Sequence, residues 1–293
     1  MRDLHPAPPL QRGDTVATVA ASSALQDDQR LNEGLVILES WGLHLLEQSV
    51  TGRHWGYLAG TDQERHRDLG QSARLLACAR GGWGAARLLE DPPAWSPGWL
   101  LGFSDVTALL WARQSAGYSG NLHGPLLTTL SREPVWSQDR LRQLLFGETV
   151  KDLRGNPWGG GKAIGPLLVA NLTVASHLLG SSHVPQLGGA ILILEDVGEE
   201  PYRIDRMLTH WRLCGALQQL AGIGFGRFTG CEAVTDNESD SFRLEAILRE
   251  RTNDLAIPRV GHLPVGHIEG NAALPLGRVA CLDGEEGSLS LLP

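Results

Sequence analysis

The chain has 293 residues, which suits one large domain or two modest ones, and its 42% hydrophobic and 20% charged content is ordinary for a globular protein. The formal net charge of −8 argues against a nucleic-acid-binding surface. No uninterrupted apolar stretch reaches the length of about 18 residues that a membrane span needs, so no membrane partner is expected. The four cysteines are widely spaced and predict neither a zinc cluster nor a disulfide framework. We expect a cytoplasmic protein with no cofactor.

The first 130 residues alternate between predicted strands and helices. Strands are expected at 15–21, 43–48, 75–79 and 99–101, and helices at 25–41, 61–74 (with Thr61 as its cap) and 106–113. A glycine turn, Arg80-Gly-Gly-Trp-Gly-Ala-Ala-Arg87, follows the third strand and opens a further helix. Such alternation predicts a doubly wound parallel sheet, whose ligands bind beyond the carboxyl ends of the strands.

The pattern changes after residue 130. Residues 131–165 predict a connecting segment that contains a short helix near 138–145. Beyond it, the expected elements are a helix at 167–179, a buried strand at 190–194, a helix at 204–214 and a strand at 259–261. The predicted fold is therefore α/β. A doubly wound, mostly parallel N-terminal domain at 1–130 is followed by a mixed α/β C-terminal domain at 166–293, and the active site is expected in the cleft between them.

Ser104 stands in the run Gly102-Phe-Ser-Asp-Val106, between a predicted strand and a predicted helix. It is therefore expected on a tight turn, where its hydroxyl is exposed and the first N–H groups of the helix point at a bound group. That is the geometry of a nucleophile elbow, whose amides can stabilise an oxyanion. Serine is also a frequent helix N-cap, so these residues alone leave both interpretations open.

A serine nucleophile needs a general base, usually a histidine that a carboxylate orients. The chain has ten histidines. His267 lies in a glycine-flanked loop, His262 is its nearest competitor, and His123 follows the helix after Ser104. His262 and His267 also suggest a metal pair, but no third ligand stands at metal-site spacing, and no metal site is predicted.

Glu195 is the most informative carboxylate. It directly follows the apolar strand at 190–194, where a charge is costly to bury unless it is paired. Such a carboxylate is commonly functional or held in a network. The alternative is a structural role, in which Glu195 accepts backbone N–H groups or pairs with Arg203 or Arg206.

Seven motifs follow one another from about residue 10 to about residue 280. They are Leu10-Gln-Arg-Gly-Asp-Thr-Val16; Gly60-Thr-Asp-Gln-Glu-Arg65 with Asp68-Leu69; Arg80-Gly-Gly-Trp-Gly-Ala85; Gly102-Phe-Ser-Asp-Val-Thr-Ala108; His123-Gly-Pro125; Leu194-Glu-Asp-Val-Gly-Glu199 with Pro201-Tyr-Arg-Ile-Asp-Arg-Met-Leu208; and Gly266-His267 with Leu274-Pro-Leu-Gly277. Each motif is weak alone. Together they resemble the LD-carboxypeptidases, the muramoyltetrapeptide carboxypeptidases of peptidoglycan recycling, a serine-peptidase family that also contains microcin-immunity peptidases.

The resemblance implies a Ser–His–Glu triad of Ser104, His267 and Glu195. It implies an oxyanion site formed by the backbone N–H groups of Gly82 and Asp105. The implied substrate is a cytoplasmic murein tetrapeptide that loses its terminal D-Ala, and the family often forms dimers, so a homodimer is possible. A free terminal carboxylate must be read by a cation or by clustered N–H groups. The candidate substrate-binding residues are Arg80, Gly81, His123 and Arg203.

One segment departs from the family pattern. Relatives show Gly-Gly-Asn-Leu where this chain has Val169-Ala-Asn-Leu172, and a glycine cluster lies upstream at 159–161. In the family the matching loop lies near the substrate cleft, so this departure bears on which substrate is used. One alternative is a microcin-type hydrolase of peptide–nucleotide conjugates, in which tryptophans such as Trp55, Trp83 and Trp158 stack a base.

The other alternative is a ligand-binding α/β module without catalytic activity. In it, the glycine turn at 81–84 would cradle a nucleotide phosphate at a helix N-terminus. The chain contains neither a P-loop nor a Gly-x-Gly-x-x-Gly fingerprint, which weakens this interpretation.

Overall fold

The computed structural model describes residues 5–26, 28–47, 49–233 and 241–292. The chain divides into two compact units. The first unit consists of Met1–Val150 together with Glu269–Gly277, and the second consists of Lys151–Ile268 together with Arg278–Pro293. None of the helices in the described part of the chain combines the length and apolar character that a bilayer crossing requires.

The described residues form fourteen strands, eight α-helices and three short 3₁₀ turns. The strands are β1 (Thr15–Val19), β2 (His44–Leu45), β3 (Leu75–Cys78), β4 (Trp99–Gly102), β5 (Asn121–His123), β6 (Leu153–Arg154), β7 (Asn156–Pro157), β8 (Lys162–Asn171), β9 (Ile191–Val197), β10 (Gly222–Thr229), β11 (Arg259–Gly261), β12 (Leu274–Pro275), β13 (Val279–Asp283) and β14 (Ser288–Leu291). The helices are α1 (Asp28–Ser40), α2 (Asp62–Leu69), α3 (Thr107–Ser115), α4 (Leu127–Leu130), α5 (Val135–Leu145), α6 (Leu172–Leu178), α7 (Pro201–Leu213) and α8 (Leu244–Glu250). The 3₁₀ turns are Ala85–Leu89, Ser104–Val106 and Leu217–Gln219.

The first unit is built on a sheet in which six of the described strands take the order β12-β5-β4-β3-β1-β2. Strands β1 to β5 are parallel, and β12 pairs antiparallel with β5. The chain moves outward from β1 to β2 and returns to β3, so the strand order reverses between β1 and β3. In open α/β sheets, ligands bind outside the carboxyl ends of the strands at such a reversal. The predicted doubly wound, mostly parallel sheet is confirmed.

The second unit contains a mixed sheet in which eight of the described strands take the order β6-β14-β13-β8-β9-β10-β11-β7. The inner strands β8, β9, β10 and β11 are parallel, and the strands on either side pair antiparallel. The mixed α/β C-terminal domain is therefore confirmed as a fold class. Ile191 to Leu194 of β9 are completely buried, which agrees with the apolar strand predicted there.

The predicted helix at 167–179 is wrong. Residues Lys162–Asn171 form β8, which pairs with β13 and β9, and only Leu172–Leu178 are helical. A strand with both faces covered carries a continuous apolar run rather than an alternating one. Periodicity cannot distinguish such a run from a buried helix segment. Strand β2 is also shorter than the predicted 43–48, and Gln48 lies outside the described residues.

Helix α2 begins as predicted at Thr61, through a capping box. The hydroxyl of Thr61 accepts from the Glu64 N–H at 3.3 Å, and the carboxylate of Glu64 accepts from the Thr61 N–H at 2.7 Å. The helix ends at Leu69, before the predicted end at 74. Its buried side includes Arg65, which has no exposed surface.

The domain boundaries differ from the predicted 1–130, 131–165 and 166–293. Helix α5 belongs to the first unit, where it holds a returning segment. Ser137 donates to the carbonyl of Asn271 at 2.9 Å, and Arg140 donates to the carbonyl of Ala273 at 2.9 Å. Residues 269–277 thus complete the first sheet through β12. A two-residue strand that joins a sheet formed much earlier in the chain has no local sequence signature.

Candidate active site

Ser104 occupies a strained turn directly after β4. Its φ is +64°, in the left-handed region that L-residues rarely adopt. Phe103 before it is extended, and Ser104–Val106 form a 3₁₀ turn that leads into α3. Val106 takes the N-cap position of α3, so the interpretation of Ser104 as the cap of that helix does not hold. Strained backbone of this kind is concentrated at functional sites.

The glycine turn after β3 packs against the turn of Ser104. A Cβ built on Gly81 would lie 2.9 Å from the Ser104 Cβ and 3.0 Å from its Oγ. Only glycine allows this approach. Gly82 has a φ of +115°, and a Cβ there would lie 2.2 Å from the Oγ of Ser23. The structure therefore brings Gly81 and Ser104 together at the carboxyl edge of the first sheet, with Gly82 and Asp105 as their direct neighbours in the chain.

Asp105 links the two turns through its side chain. The carboxylate is 7% exposed, and it accepts from the N–H of Ala85 at 2.8 Å. Burial raises the pKa of Asp105, and the hydrogen bond from Ala85 opposes this shift. The sequence analysis assigned Asp105 only a backbone N–H in the oxyanion site. Its side chain has a second role, because it anchors the glycine turn through the N–H of Ala85.

Glu195 and His267 form a hydrogen-bonded pair in the second unit. Nδ1 of His267 lies 2.8 Å from Oε2 of Glu195, whose side chain has no exposed surface. Burial raises the pKa of Glu195, and the hydrogen bond with His267 lowers it. With Nδ1 donating to the carboxylate, Nε2 of His267 is the nitrogen that can act as a base.

The surroundings of this pair were only partly predictable. Glu195 lies within β9 rather than after its end, in register with Asn171 of β8. Asn171 caps α6 through the Val174 N–H at 3.1 Å, so the asparagine of the departing Val169–Leu172 segment has a structural role. Thr229, which the sequence did not single out, donates to the carbonyl of His267 at 2.9 Å. Its place as the polar last residue of β10 is the signal that was missed.

The two remaining histidine candidates, His123 and His262, have different surroundings. His123 ends β5 with no exposed surface, and its ring meets Phe103 edge-on with centroids 5.6 Å apart. His262 is exposed, with Nε2 at 3.2 Å from Oε2 of Glu245. In the part of the chain that the structure describes, no group of three or more His, Cys, Asp or Glu residues could hold a metal ion.

The arginine candidates take different environments. Arg80 is half-buried and donates to the carbonyl of Ala24 at 2.9 Å. Arg203 is exposed, with Nη1 at 3.6 Å from the carboxylate of Glu199. The structural alternative for Glu195, a pairing with Arg203 or Arg206, is replaced by its hydrogen bond with His267.

Comparison with known proteins agrees with the seven motifs. The profile of the LD-carboxypeptidase N-terminal domain matches residues 16–124, and that of the C-terminal domain matches residues 164–282. The chain belongs to the LD-carboxypeptidase family. The predicted resemblance is thereby confirmed, and membership of the LD-carboxypeptidase family makes the protein a serine peptidase.

Individual members of the family match nearly the whole chain. It is 47% identical to a putative carboxypeptidase of Synechocystis, over 97% of this chain and 96% of the relative. It is 35% identical to the murein tetrapeptide carboxypeptidase of Pseudomonas aeruginosa, over 92% of this chain and 93% of the relative. The structure of MccF in complex with glutamyl sulfamoyl guanosine matches with a TM-score of 0.86 at 19% identity, over 99% of this chain and 98% of that one. This last likeness shows the fold alone.

Proposed function

We propose that the protein is a serine LD-carboxypeptidase that releases terminal D-Ala from murein tetrapeptides in cytoplasmic peptidoglycan recycling. Ser104 is the nucleophile, His267 the general base and Glu195 the carboxylate that orients it. The observation that carries the proposal is the 2.8 Å hydrogen bond between His267 and the fully buried Glu195, in a chain of this family. The name of the Pseudomonas relative supports the murein substrate.

The reaction proceeds in two steps. His267 Nε2 takes the proton of Ser104 Oγ while the oxygen attacks the scissile carbonyl, and the imidazolium then gives that proton to the departing amine of D-Ala. Water, deprotonated by His267, releases the acyl group from Ser104. Glu195 holds the tautomer of His267 and stabilises its charged form.

Two backbone N–H groups, those of Gly82 and Asp105, donate hydrogen bonds to the oxyanion of the tetrahedral intermediate and stabilise its negative charge. Removing one such donor typically raises the barrier by about 3 kcal/mol. The proposal is supported by the contact between Gly81 and Ser104, because it sets the glycine turn against the nucleophile.

A carboxypeptidase must also bind a free terminal carboxylate. Among the candidates, Arg80 begins the glycine turn and is half-buried, which favours it over the exposed Arg203. Gly81 can contribute its backbone. The complete burial of His123 favours a packing role for that residue.

A microcin-type hydrolase of peptide–nucleotide conjugates is the second candidate. Trp83, on the glycine turn, is 69% exposed, and Trp55 is 49% exposed, so both rings offer faces on which a base can stack. The non-catalytic binding module lacks comparable support, because the chain belongs to a peptidase family.

The test is a product assay with an L,D-linked murein tetrapeptide, its L,L-linked counterpart and an acyl-sulfamoyl nucleotide. The wild-type protein is expected to release D-Ala from the first substrate alone, with or without EDTA. Ser104→Ala is expected to keep its circular dichroism spectrum and lose about 10⁶-fold in kcat. Hydrolysis of the acyl-sulfamoyl nucleotide, with neither tetrapeptide cleaved, would favour the second candidate. Full activity of Ser104→Ala would exclude Ser104 as the nucleophile.

A further inference from the structure

Arg65 is a buried arginine that no catalytic step uses. Its guanidinium has no exposed surface. Nη1 donates to the carbonyl of Ala21 at 2.5 Å and to the carbonyl of Gly84 at 2.8 Å, and Nη2 pairs with Asp62. Burying a guanidinium is costly unless its hydrogen bonds are made. The two carbonyl contacts and the ion pair with Asp62 offset the cost of burying Arg65.

Both carbonyls belong to loops at the carboxyl edge of the first sheet. Ala21 follows β1, and Gly84 closes the glycine turn that follows β3, so Arg65 joins the two loops where the strand order reverses. Gly81 of the same turn contacts Ser104. The position of the Gly82 N–H, the proposed oxyanion donor, thus depends on a turn whose far end is held by Arg65.

Two more side chains hold the same turn. Ser23 accepts from the Trp83 N–H at 3.0 Å, and Asp105 accepts from the Ala85 N–H at 2.8 Å. Arg65 acts on the turn's carbonyl at Gly84, whereas Ser23 and Asp105 act on its N–H groups. Arg65 is also the member of the three that ties the turn to helix α2.

We propose that Arg65 is a positioning residue for the oxyanion site: it holds the carbonyls of Ala21 and Gly84 so that the Gly82 N–H points at the developing oxyanion. The proposal rests on the proposed function. A planar guanidinium can serve Ala21, Gly84 and Asp62 at once, whereas a lysine ammonium is a single point charge. Arg65→Lys therefore keeps the charge and removes the geometry.

The chain offers a matched control in Arg113. This arginine on α3 is 2% exposed and donates to three loop carbonyls, those of Ser96, Gly98 and Ser119, at 2.7 to 2.9 Å. Gly98 and Ser119 precede β4 and β5, at the amino edge of the same sheet. Arg113→Lys thus damages a comparable buried cluster on the edge opposite to Ser104.

The experiment compares Arg65→Lys, Arg113→Lys and the wild type well below their melting temperatures. The measured quantities are kcat, KM and the affinity for a peptide boronate, which forms a tetrahedral anionic adduct with a serine. Arg65→Lys is expected to lose about 10²-fold in kcat and to bind the boronate more weakly by the same factor, with KM nearly unchanged. Arg113→Lys is expected to melt earlier at an unchanged kcat.

An Arg65→Lys variant that only melts earlier, like Arg113→Lys, would overturn the proposal. If Arg65→Lys does not fold, Asp62→Ala decides, because it removes the half-exposed carboxylate that holds Nη2. In Asp62→Ala, a loss in both kcat and boronate affinity that is smaller than the loss expected for Arg65→Lys supports the proposal. Unchanged values in Asp62→Ala overturn it. A wild-type protein that releases no D-Ala would overturn the proposed function and this inference together, whereas an active wild type with an equally active Arg65→Lys overturns this inference alone.

Discussion

Ser104 follows the carboxyl end of β4 in the first unit, and Glu195 lies within β9 in the second, yet the two regions are built by different physical means. The geometry around Ser104 depends on the backbone, through a φ of +64° and the close approach of Gly81. The arrangement around Glu195 depends on the burial of a carboxylate beside one imidazole. The free-energy costs of the two regions therefore differ in kind.

The cost at Ser104 is steric and does not depend on pH; a strained residue of this type costs on the order of 1–3 kcal/mol. The cost at Glu195 is electrostatic. Because burial raises the pKa of Glu195, the folded protein holds that proton more tightly than the unfolded chain does. The contribution of Glu195 to stability is therefore most favourable below the pKa that this residue has in the unfolded chain. It declines as the pH rises from that pKa through the higher pKa of the folded protein.

Among the changes that separate the two regions, the largest expected effect comes from removing the charge of Glu195. Glu195→Gln should lower kcat by about 10⁴-fold, because the amide no longer selects the correct tautomer of His267. The same change should leave the free energy of unfolding at neutral pH equal or higher, since no buried charge remains. Steady-state kinetics and urea denaturation measure the two quantities. A variant that is both active and less stable would show that Glu195 has a structural role instead.

A smaller effect is expected from adding one methyl group beside Ser104. Gly81→Ala places a Cβ 2.9 Å from the Ser104 Cβ and should lower kcat by about 10²-fold, by the same factor at every pH. Gly70→Ala is the matched control, because its Cβ would meet its nearest neighbour at an ordinary 3.6 Å. Rate profiles against pH make the comparison. A Gly81→Ala loss that disappears at one end of the profile would contradict a purely steric cause.

The smallest expected effect is on the pH dependence of stability. The unfolding free energy of the wild type, relative to Glu195→Gln, should fall as the pH rises through the acid range, by about 1.4 kcal/mol for each unit by which the folded pKa exceeds the unfolded one. Urea titrations of both proteins at several pH values measure the difference. Parallel curves would show that burial does not raise this pKa.

The sequence revealed the local features of both regions and missed the long-range ones. The strand–turn–helix pattern around Ser104, the glycine turn and the costly carboxylate at Glu195 could all be predicted, because each depends on neighbouring residues. His267 could not be chosen among ten histidines without the family resemblance. The role of Arg65 could not be predicted at all, since its carbonyl partners lie 44 and 19 residues away in the chain.

The errors in the fold have the same origin. Strand β8 was predicted as a helix because burial on both faces removes the alternation that marks a strand. Residues 269–277 were assigned to the second domain because pairing between β12 and β5 joins segments far apart in the chain. Local pattern therefore predicts the turn that carries Ser104, but not which unit each later segment joins.

The most direct test of whether His267 activates Ser104 is labelling with a fluorophosphonate followed by mass spectrometry of the peptides. We expect a single label on Ser104 in the wild type and a labelling rate lower by about 10²–10⁴-fold in His267→Ala. A label on another serine, or an unchanged rate in His267→Ala, would contradict it.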